Sequence, residues 1–200
     1  MIAACIAGAA KLLTGARARW TGCAPDGKLR VYFANHTSNL DFVVLWAAMP
    51  RHLRAATRPV AAHDYWTAGP VRLALAQRVF NAVLIERRKV TRANNPMEPM
   101  LAALRAGQSL IIFPEGGRMS GDGIGEFRGG LYHLAKEELK IEFVPAYIEN
   151  LNRVMPKGEF LPIPILCSVT FGAPLQIDPA EGKTGFLARA REALVELSKR

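Results

Sequence analysis

Short apolar runs with the length of buried strands alternate with helix-like segments along most of the chain. The predicted strands cover residues 29–34, 57–62, 80–85, 108–113, 142–148 and 163–171. The predicted helices cover residues 39–48, 68–78, 96–105, 131–140 and 186–199. Strands that alternate with helices are typical of an α/β domain, so we predict a mostly parallel central sheet flanked by helices.

The first 22 residues differ from the rest, because their apolar side chains recur at helical spacing among basic ones. These residues are Ile2, Cys5, Ile6, Ala9, Leu12, Leu13 and Ala16, with Lys11, Arg17 and Arg19. We predict a short amphipathic helix over 1–22 that precedes a single domain over 23–200. Its apolar face can lie in a membrane interface or pack on the core of the domain, and both alternatives stay open. No apolar stretch has the ~20 residues of a spanning helix.

The net charge of the chain is +9, from 26 Lys and Arg against 17 Asp and Glu, which predicts an anionic partner. An anionic membrane surface, a phosphorylated substrate, an acidic carrier protein and nucleic acid all fit. The basic residues form no stripe or module typical of nucleic-acid binding, so we expect no nucleic acid. Cys5, Cys23 and Cys167 lie far apart, which indicates neither a disulfide framework nor structural zinc, and favours the cytoplasmic side of a membrane.

A histidine and an aspartate follow the first predicted strand, in the segment Asn35-His36-Thr37-Ser38-Asn39-Leu40-Asp41. Their side chains can meet if His36 lies in the turn and Asp41 in the first helical turn, with Ser38 or Asn39 as N-cap. An aspartate on one imidazole nitrogen lets the other nitrogen accept a proton from a hydroxyl. The structural alternative is a Ser38-x-x-Asp41 capping box beside a hydrogen-bonded turn histidine.

A second group of polar residues follows the strand 108–113, in the segment Pro114-Glu115-Gly116-Gly117-Arg118. Glycines let backbone N–H groups approach a phosphate or an oxyanion, and a guanidinium can bind two phosphate oxygens. The carboxyl ends of parallel strands are where α/β proteins build their sites. The alternative is a surface turn with a solvated charge pair.

The segment His36-x4-Asp41, followed by Phe113-Pro114-Glu115-Gly116-x-Arg118, resembles the glycerolipid acyltransferase family, in particular its lysophosphatidic acid acyltransferase-like group. The segment 81–87 resembles the family block Gly-x-x-Phe-Ile-Asp-Arg, whose arginine binds the acceptor phosphate. Val144-Pro145-Ala146-Tyr147 resembles the Val-Pro-Val block that helps to bind the acyl donor. The resemblance covers roughly residues 31–175 and implies the glycerol-phosphate acyltransferase-like α/β fold. The peripheral membrane attachment that we expect also comes from this resemblance, since one short segment stands where the family usually has N-terminal membrane helices.

The resemblance also implies a reaction. His36 would act as general base on the hydroxyl of a phosphate-bearing glycerolipid, and Asp41 would orient His36. The hydroxyl would attack the thioester of acyl-CoA or of acyl carrier protein, which serves as co-substrate. Because a thioester is already activated, no metal and no further cofactor are required.

The remaining matched residues are implied to bind the acceptor. Arg87 and Arg118 would hold its phosphate, and Glu115 would position Arg118 or an acceptor hydroxyl. Gly116 and Gly117 would offer backbone donors to the phosphate or to the developing oxyanion.

The chain also departs from the family pattern. Asn81, Leu84 and Glu86 stand where the second block has Gly, Phe and Asp, and Gly117-Arg118-Met119 replaces Thr-Arg-Ser. The loss of two hydroxyls leaves the acceptor open, and family frequency favours 1-acylglycerol 3-phosphate, which would give phosphatidic acid. The alternative function is a non-catalytic lipid-binding protein on the same fold. A serine hydrolase is disfavoured, because no G-x-S-x-G segment occurs.

Overall fold

The structure is a computed structural model that describes residues 2–87, 91, 94–119, 123–150 and 166–199. Its helices are α1 (Ile2–Thr14), α2 (Asp41–Ala48), α3 (Arg51–Ala56), α4 (His63–Trp66), α5 (Pro70–Ala74), α6 (Met97–Arg105), α7 (Gly130–Glu137) and α8 (Lys183–Ser198). A turn of π-helix (Leu75–Val79) continues α5. Its strands are β1 (Arg17–Trp20), β2 (Arg30–Ala34), β3 (Thr57–Ala62), β4 (Val83–Ile85), β5 (Ser109–Ile112), β6 (Glu142–Glu149) and β7 (Ser168–Phe171).

The strands form one sheet in the order β1-β7-β6-β2-β5-β3-β4. Neighbouring strands run parallel, except that β6 and β7 are antiparallel. The central strand β2 lies between β6 and β5, and all five of its residues are buried. The predicted α/β class with a mostly parallel sheet is therefore confirmed. The carboxyl ends of β2, β3, β4 and β5 lie at one edge, where parallel strands place the loops that carry function.

Helices cover both faces of the sheet, because successive side chains of a strand point to opposite faces. Tyr32 belongs to the cluster that α1 and α2 cover, whereas Val31 and Phe33 belong to the cluster that α6, α7 and α8 cover. In the first cluster, Trp46 and Phe80 pack edge to face, with ring centroids 5.2 Å apart. Both layers bury apolar side chains against β2, which fixes the end of β2 where the candidate site begins.

The N-terminal helix is shorter than predicted. α1 ends at Thr14, and Gly15 then turns the chain with a φ of +57°. Arg17–Trp20 form β1, which pairs with β7 at the edge of the sheet. Residues 17–20 were therefore wrongly predicted as helix, because the left-handed Gly15 interrupts the period and β1 gains backbone partners in the sheet. A membrane-interface role for 1–22 stays a prediction.

α1 packs on α2 through one face. Ala7 is buried there, and Ile6 and Ala10 pack against the same cluster, whereas Ile2 and Leu12 are exposed. The alternative in which the helix packs on the domain is thus realised by part of its surface. Within the ranges that the structure describes, no helix has the length and apolarity that crossing a bilayer requires.

The other predicted elements agree with the structure apart from their ends, and α3 and α4 lie in segments where no helix was predicted. The predicted strand 80–85 shortens to β4, because Phe80 closes the π-helical turn and Asn81 takes a positive φ. Of the predicted strand 163–171, residues 163–165 lie outside the described residues, and β7 forms the rest from Ser168 onward.

Candidate active site

The structure brings His36 and Asp41 together at the carboxyl end of β2. His36 lies in the turn after β2, and Asp41 is the first residue of α2. Nδ1 of His36 lies 2.7 Å from Oδ2 of Asp41. With Nδ1–H donating to Asp41, Nε2 carries the lone pair and can accept a proton.

The carboxylate of Asp41 also organises the turn. Its Oδ2 accepts the N–H of Thr37 at 2.6 Å and that of Ser38 at 2.9 Å. Burial raises the pKa of Asp41, whereas the imidazole of His36 and the two amides favour its charged form. Because three N–H groups converge on one oxygen, the ionised carboxylate is the form that fits this site.

The helix start differs from the prediction. The N-cap of α2 is Leu40, with no side-chain cap hydrogen bond, and neither Ser38 nor Asn39 has this role. Oγ of Ser38 instead accepts the N–H of Leu40 at 3.3 Å. One half of the capping-box alternative is nevertheless present, since the Asp41 carboxylate accepts the Ser38 amide. The same carboxylate therefore serves the turn and the imidazole.

The segment after β5 holds His36 from the other side. Oε1 of Glu115 accepts the His36 N–H at 3.1 Å, and the Met119 N–H donates to the His36 carbonyl at 2.7 Å. The imidazole stacks on Phe113, with ring centroids 4.4 Å apart and an interplanar angle of 25°. Both the backbone and the ring of His36 are thus fixed by residues 113–119. The sequence signals the chemistry of His36 but not this stacking.

Glu115 has a different place from the predicted one. Its side chain is buried, and no contact with Arg118 exists among the described residues. Burial raises the pKa of its carboxyl, and the His36 N–H opposes that shift. Glu115 therefore supports the backbone of His36 rather than positioning Arg118, because its carboxylate points back into the loop.

Gly116 is a turn residue whose N–H is already used. That N–H donates to the Phe113 carbonyl at 3.0 Å, and the φ of Gly116 is +71°. A Cβ added at Gly116 would lie 2.6 Å from both Cδ and Nε of Arg128. The predicted role of Gly116 as a free backbone donor is therefore corrected, since the turn itself occupies its N–H. Gly117 lines the cavity, and its predicted donor role stays a prediction.

A cavity of about 420 Å³ lies against His36. Arg87, Arg118 and Arg128 are among the residues that line it. Its apolar wall includes Phe42, Val60, Tyr65, Trp66, Ile85, Met100, Ile112, Phe113, Leu131 and Leu134. An imidazole beside guanidinium groups and an apolar wall suits a ligand with a hydroxyl, an anionic group and a hydrocarbon part.

The two predicted arginines reach the cavity from different strands. Arg87 follows β4 and pairs with Asp64 across a distance of 3.3 Å, and Arg118 follows β5. Asn81, where the family block has Gly, has a φ of +48°, which asparagine tolerates better than most residues. Val144 and Ala146 of the fourth block are buried in β6, and neither lines the cavity in the part of the chain that is described.

Comparison with known proteins identifies the family. The family model described as Acyltransferase matches residues 23–149 of the 200. The chain belongs to the Acyltransferase family. The resemblance inferred from the four sequence blocks is thereby confirmed, and the match spans His36, Asp41, Arg87 and Arg118.

This acyltransferase-family chain aligns with only part of the length of its curated relatives. The 1-acyl-sn-glycerol-3-phosphate acyltransferase of Limnanthes alba is 28% identical over 154 residues, which are 76% of this chain and 52% of the relative. A probable 1-acyl-sn-glycerol-3-phosphate acyltransferase of Mycoplasma genitalium is 29% identical over 102 residues, 51% of this chain and 37% of that protein. The chain thus spans about half the length of the first of these relatives, and less of the second.

A solved structure shares the fold. The crystal structure of the 1-acyl-sn-glycerophosphate (LPA) acyltransferase PlsC from Thermotoga maritima is similar, with a TM-score of 0.76 and 18% sequence identity. The similarity covers 100% of this chain and 79% of that one. At this identity the comparison establishes that the Acyltransferase-family chain has the same architecture, and the chemistry rests on the site itself.

Proposed function

We propose that this protein transfers a fatty acyl group from an acyl thioester to the hydroxyl of a phosphate-bearing glycerolipid. The observation that carries the proposal is the contact between Nδ1 of His36 and Oδ2 of Asp41, beside a cavity lined by Arg87 and Arg118. The cavity supplies a base for the hydroxyl and cations for the phosphate. Its apolar wall suits the hydrocarbon part of a lipid.

In the proposed reaction, Nε2 of His36 accepts the proton of the acceptor hydroxyl as its oxygen attacks the thioester carbonyl carbon. The carbonyl becomes a tetrahedral oxyanion, which collapses and breaks the carbon–sulfur bond. The leaving thiolate takes the proton back from Nε2. Asp41 stabilises the imidazolium between these two transfers, since its carboxylate lies on Nδ1.

The acceptor phosphate would be bound by Arg87 and Arg118. Arg118 lines the cavity, and it forms no ion pair with a carboxylate in the described ranges. Arg87 pairs with Asp64 near the cavity, with both side chains partly exposed, and such a pair is worth at most ~1 kcal/mol. A doubly charged phosphate can therefore compete with Asp64 for Arg87.

The finer identity of the substrates follows the relatives. Proteins similar to this chain are named 1-acyl-sn-glycerol-3-phosphate acyltransferases, which supports 1-acylglycerol 3-phosphate as the acceptor and phosphatidic acid as the product. Either acyl-CoA or acyl carrier protein would serve as the donor. The net charge of +9 is compatible with both of these anionic donors.

Peripheral contact with an anionic membrane is part of the proposal. Ile2, Leu12 and Leu13 of α1 are exposed, and Lys11 lies in the last turn of this helix. Exposed apolar side chains beside a basic residue can enter a lipid interface, and a lipid acceptor would have to be taken from one.

The experiment that tests the proposed function uses the purified full chain with a radiolabelled acyl thioester, both acyl-CoA and acyl carrier protein. The acceptors would be 1-acylglycerol 3-phosphate, glycerol 3-phosphate and monoacylglycerol. We expect labelled phosphatidic acid from the first acceptor, and its loss in a folded His36→Ala variant. Absence of transfer to all three acceptors, or full activity of the folded variant, would refute the proposal.

A further inference from the structure

Arg128 is a cavity residue that the sequence blocks do not single out. It lies in the loop before α7, and its backbone N–H donates to the Pro114 carbonyl at 2.8 Å. Its Nε donates to the Glu115 carbonyl at 3.1 Å. These two bonds attach Arg128 to the turn that carries Glu115 and Gly116.

The glycine at position 116 gives this arginine its place. The side chain of Arg128 crosses Gly116 so closely that an added Cβ would lie 2.6 Å from Cδ and Nε and 3.2 Å from Cζ. Only Nε of the guanidinium is engaged by described residues, and Arg128 is exposed and lines the cavity. The Glu115 carbonyl therefore fixes one edge of the fork, and the two terminal nitrogens remain for a ligand.

The charges around the cavity favour an anion at this position. Arg118 and Arg128 line the same cavity as Gly116 and Gly117, and Arg87 is already shared with Asp64. Among the described lining residues, Glu86 is the acidic one, so the basic residues outnumber it. Gly130 and Leu131, the first residues of α7, also line the cavity, so the amides at the positive end of this helix add to the potential. Two guanidiniums next to a left-handed glycine suit the several oxygens of a phosphate monoester.

We propose that Arg128 is a third phosphate-binding residue, which holds the acceptor phosphate together with Arg118 on the His36 side of the cavity. This inference rests on the proposed function for the identity of the acceptor. Nε of Arg128 donates to the Glu115 carbonyl, and the Glu115 carboxylate accepts the His36 N–H. The proposed phosphate site and His36 are therefore both attached to the short segment 115–116. Arg128 thereby helps to fix the position of the bound phosphate relative to the imidazole of His36.

The test is equilibrium binding, so that it does not depend on turnover. Calorimetry would compare a short-chain lysophosphatidate with the monoacylglycerol of the same chain, for wild type, Arg128→Gln and Arg105→Gln. Arg105 is a matched control, because it is an exposed arginine in an ion pair with Glu138 and does not line the cavity. We expect Arg128→Gln to weaken lysophosphatidate binding about tenfold or more, the loss of a charge-assisted hydrogen bond, and to leave monoacylglycerol binding unchanged.

The outcomes separate this inference from the proposed function. Equal lysophosphatidate binding by wild type and Arg128→Gln would overturn the inference. An equal loss of affinity for lysophosphatidate and monoacylglycerol would also overturn it, because it would show that Arg128 only stabilises the loop. A wild type that does not prefer the phosphorylated ligand would overturn it as well. The transfer assay decides the proposed function independently. A chain that binds the phosphate without transferring an acyl group would still show weaker lysophosphatidate binding in Arg128→Gln.

Discussion

His36 is fixed by contacts with two segments, the turn that ends at Asp41 and the distant residues 113–119. Asp41 and Phe113 fix its ring, while Glu115 and Met119 bind its backbone N–H and carbonyl. In the proposed role as base, a ring that is fixed in this way would not have to be oriented when the substrate arrives, so less conformational freedom would be lost in the transition state.

Removal of the Asp41 charge tests the orientation of the ring. In Asp41→Asn the amide can leave Nδ1 with the wrong tautomer, so Nε2 would carry the proton and could not accept one. We expect a fall in kcat of roughly 10² to 10⁴, with little change in the acceptor KM. Steady-state kinetics on protein shown to be folded by circular dichroism would measure this, and a change confined to KM would contradict it.

Glu115 gives a prediction about pH and stability. Burial raises the pKa of its carboxyl above the usual value of 4.5, so the folded protein holds this proton to higher pH than the unfolded chain does. Stability from this group is therefore lost as the pH rises from the usual value to the raised one. We expect Glu115→Gln to gain stability relative to wild type across that interval.

Urea unfolding at a series of pH values would measure this difference. Glu126→Gln provides the control for the loss of one negative charge, since Glu126 is exposed in the same loop. If the free energy of unfolding of Glu115→Gln, relative to that of wild type, decreases as the pH rises, the assigned direction of the pKa shift is contradicted.

At the scale of elements, the site is made by two loops that follow neighbouring strands. β2 and β5 pair in parallel, with Phe33 opposite Ile112, so the turn after β2 and the turn after β5 leave the sheet side by side. Parallel pairing thus brings His36 next to residues 113–119. This placement follows from the strand pattern alone, without knowledge of any side-chain contact.

Two adjacent glycines in the second loop offer a matched comparison. Gly116 has a φ of +71° and lies against Arg128, whereas a Cβ at Gly117 would meet nothing within 4 Å. We expect Gly116→Ala to lower the free energy of unfolding by ~1–3 kcal/mol, and Gly117→Ala to change it by less than ~0.5 kcal/mol. Urea denaturation of both variants would measure this, and equal stabilities would show that the turn tolerates a side chain.

The exposed surface of α1 gives a prediction about membrane contact. Leu12 is 86% exposed, and burial of a leucine contributes ~1.5–3 kcal/mol. We expect Leu12→Asp to weaken binding to phosphatidylglycerol vesicles about tenfold or more, as measured by co-sedimentation. Leu139→Asp is the control, because Leu139 is an exposed leucine outside α1. Equal binding by wild type and both variants would exclude α1 from the interface.

For the whole molecule, the alternation of strands and helices was sufficient to predict the α/β class and the edge that carries the site. The antiparallel β6–β7 pair and the edge strand β1 were not predictable in this way. β1 has only four residues, and its partner β7 lies far along the chain. The pattern of apolar residues within a short segment therefore cannot show that the two strands pair. Long-range backbone pairing decided these elements, as it often overrides local propensity.

The site was predictable to a different degree. His36 and Asp41 were predicted from residue type and spacing, and Arg87 and Arg118 from the family resemblance. The structure places His36, Arg87 and Arg118 at one cavity and buries Asp41 against Nδ1 of His36. Arg128, which lines the same cavity, was not singled out, since a single basic residue in a glycine-rich loop carries no pattern. The predicted contact of Glu115 with Arg118 is not found among the described residues, because the Glu115 carboxylate accepts the His36 N–H, and the alternative contact with an acceptor hydroxyl stays a prediction.

The cavity would let one chain combine the proposed thioester chemistry with the binding of a lipid substrate. His36 follows β2, Arg87 and Arg118 follow β4 and β5, and apolar side chains line the same cavity. In the proposed reaction, a phosphate bound by the arginines would bring a hydroxyl of the same acceptor molecule to His36.

The most direct test of the account is a double-mutant cycle on kcat/KM for acyl transfer to 1-acylglycerol 3-phosphate, with His36→Ala, Asp41→Asn and the double variant. If Asp41 acts through His36, each single change lowers kcat/KM by roughly 10² or more, and the double variant is no slower than His36→Ala alone. Substantial transfer by His36→Ala, or losses that multiply in the double variant, would contradict the assignment of this pair as one catalytic unit.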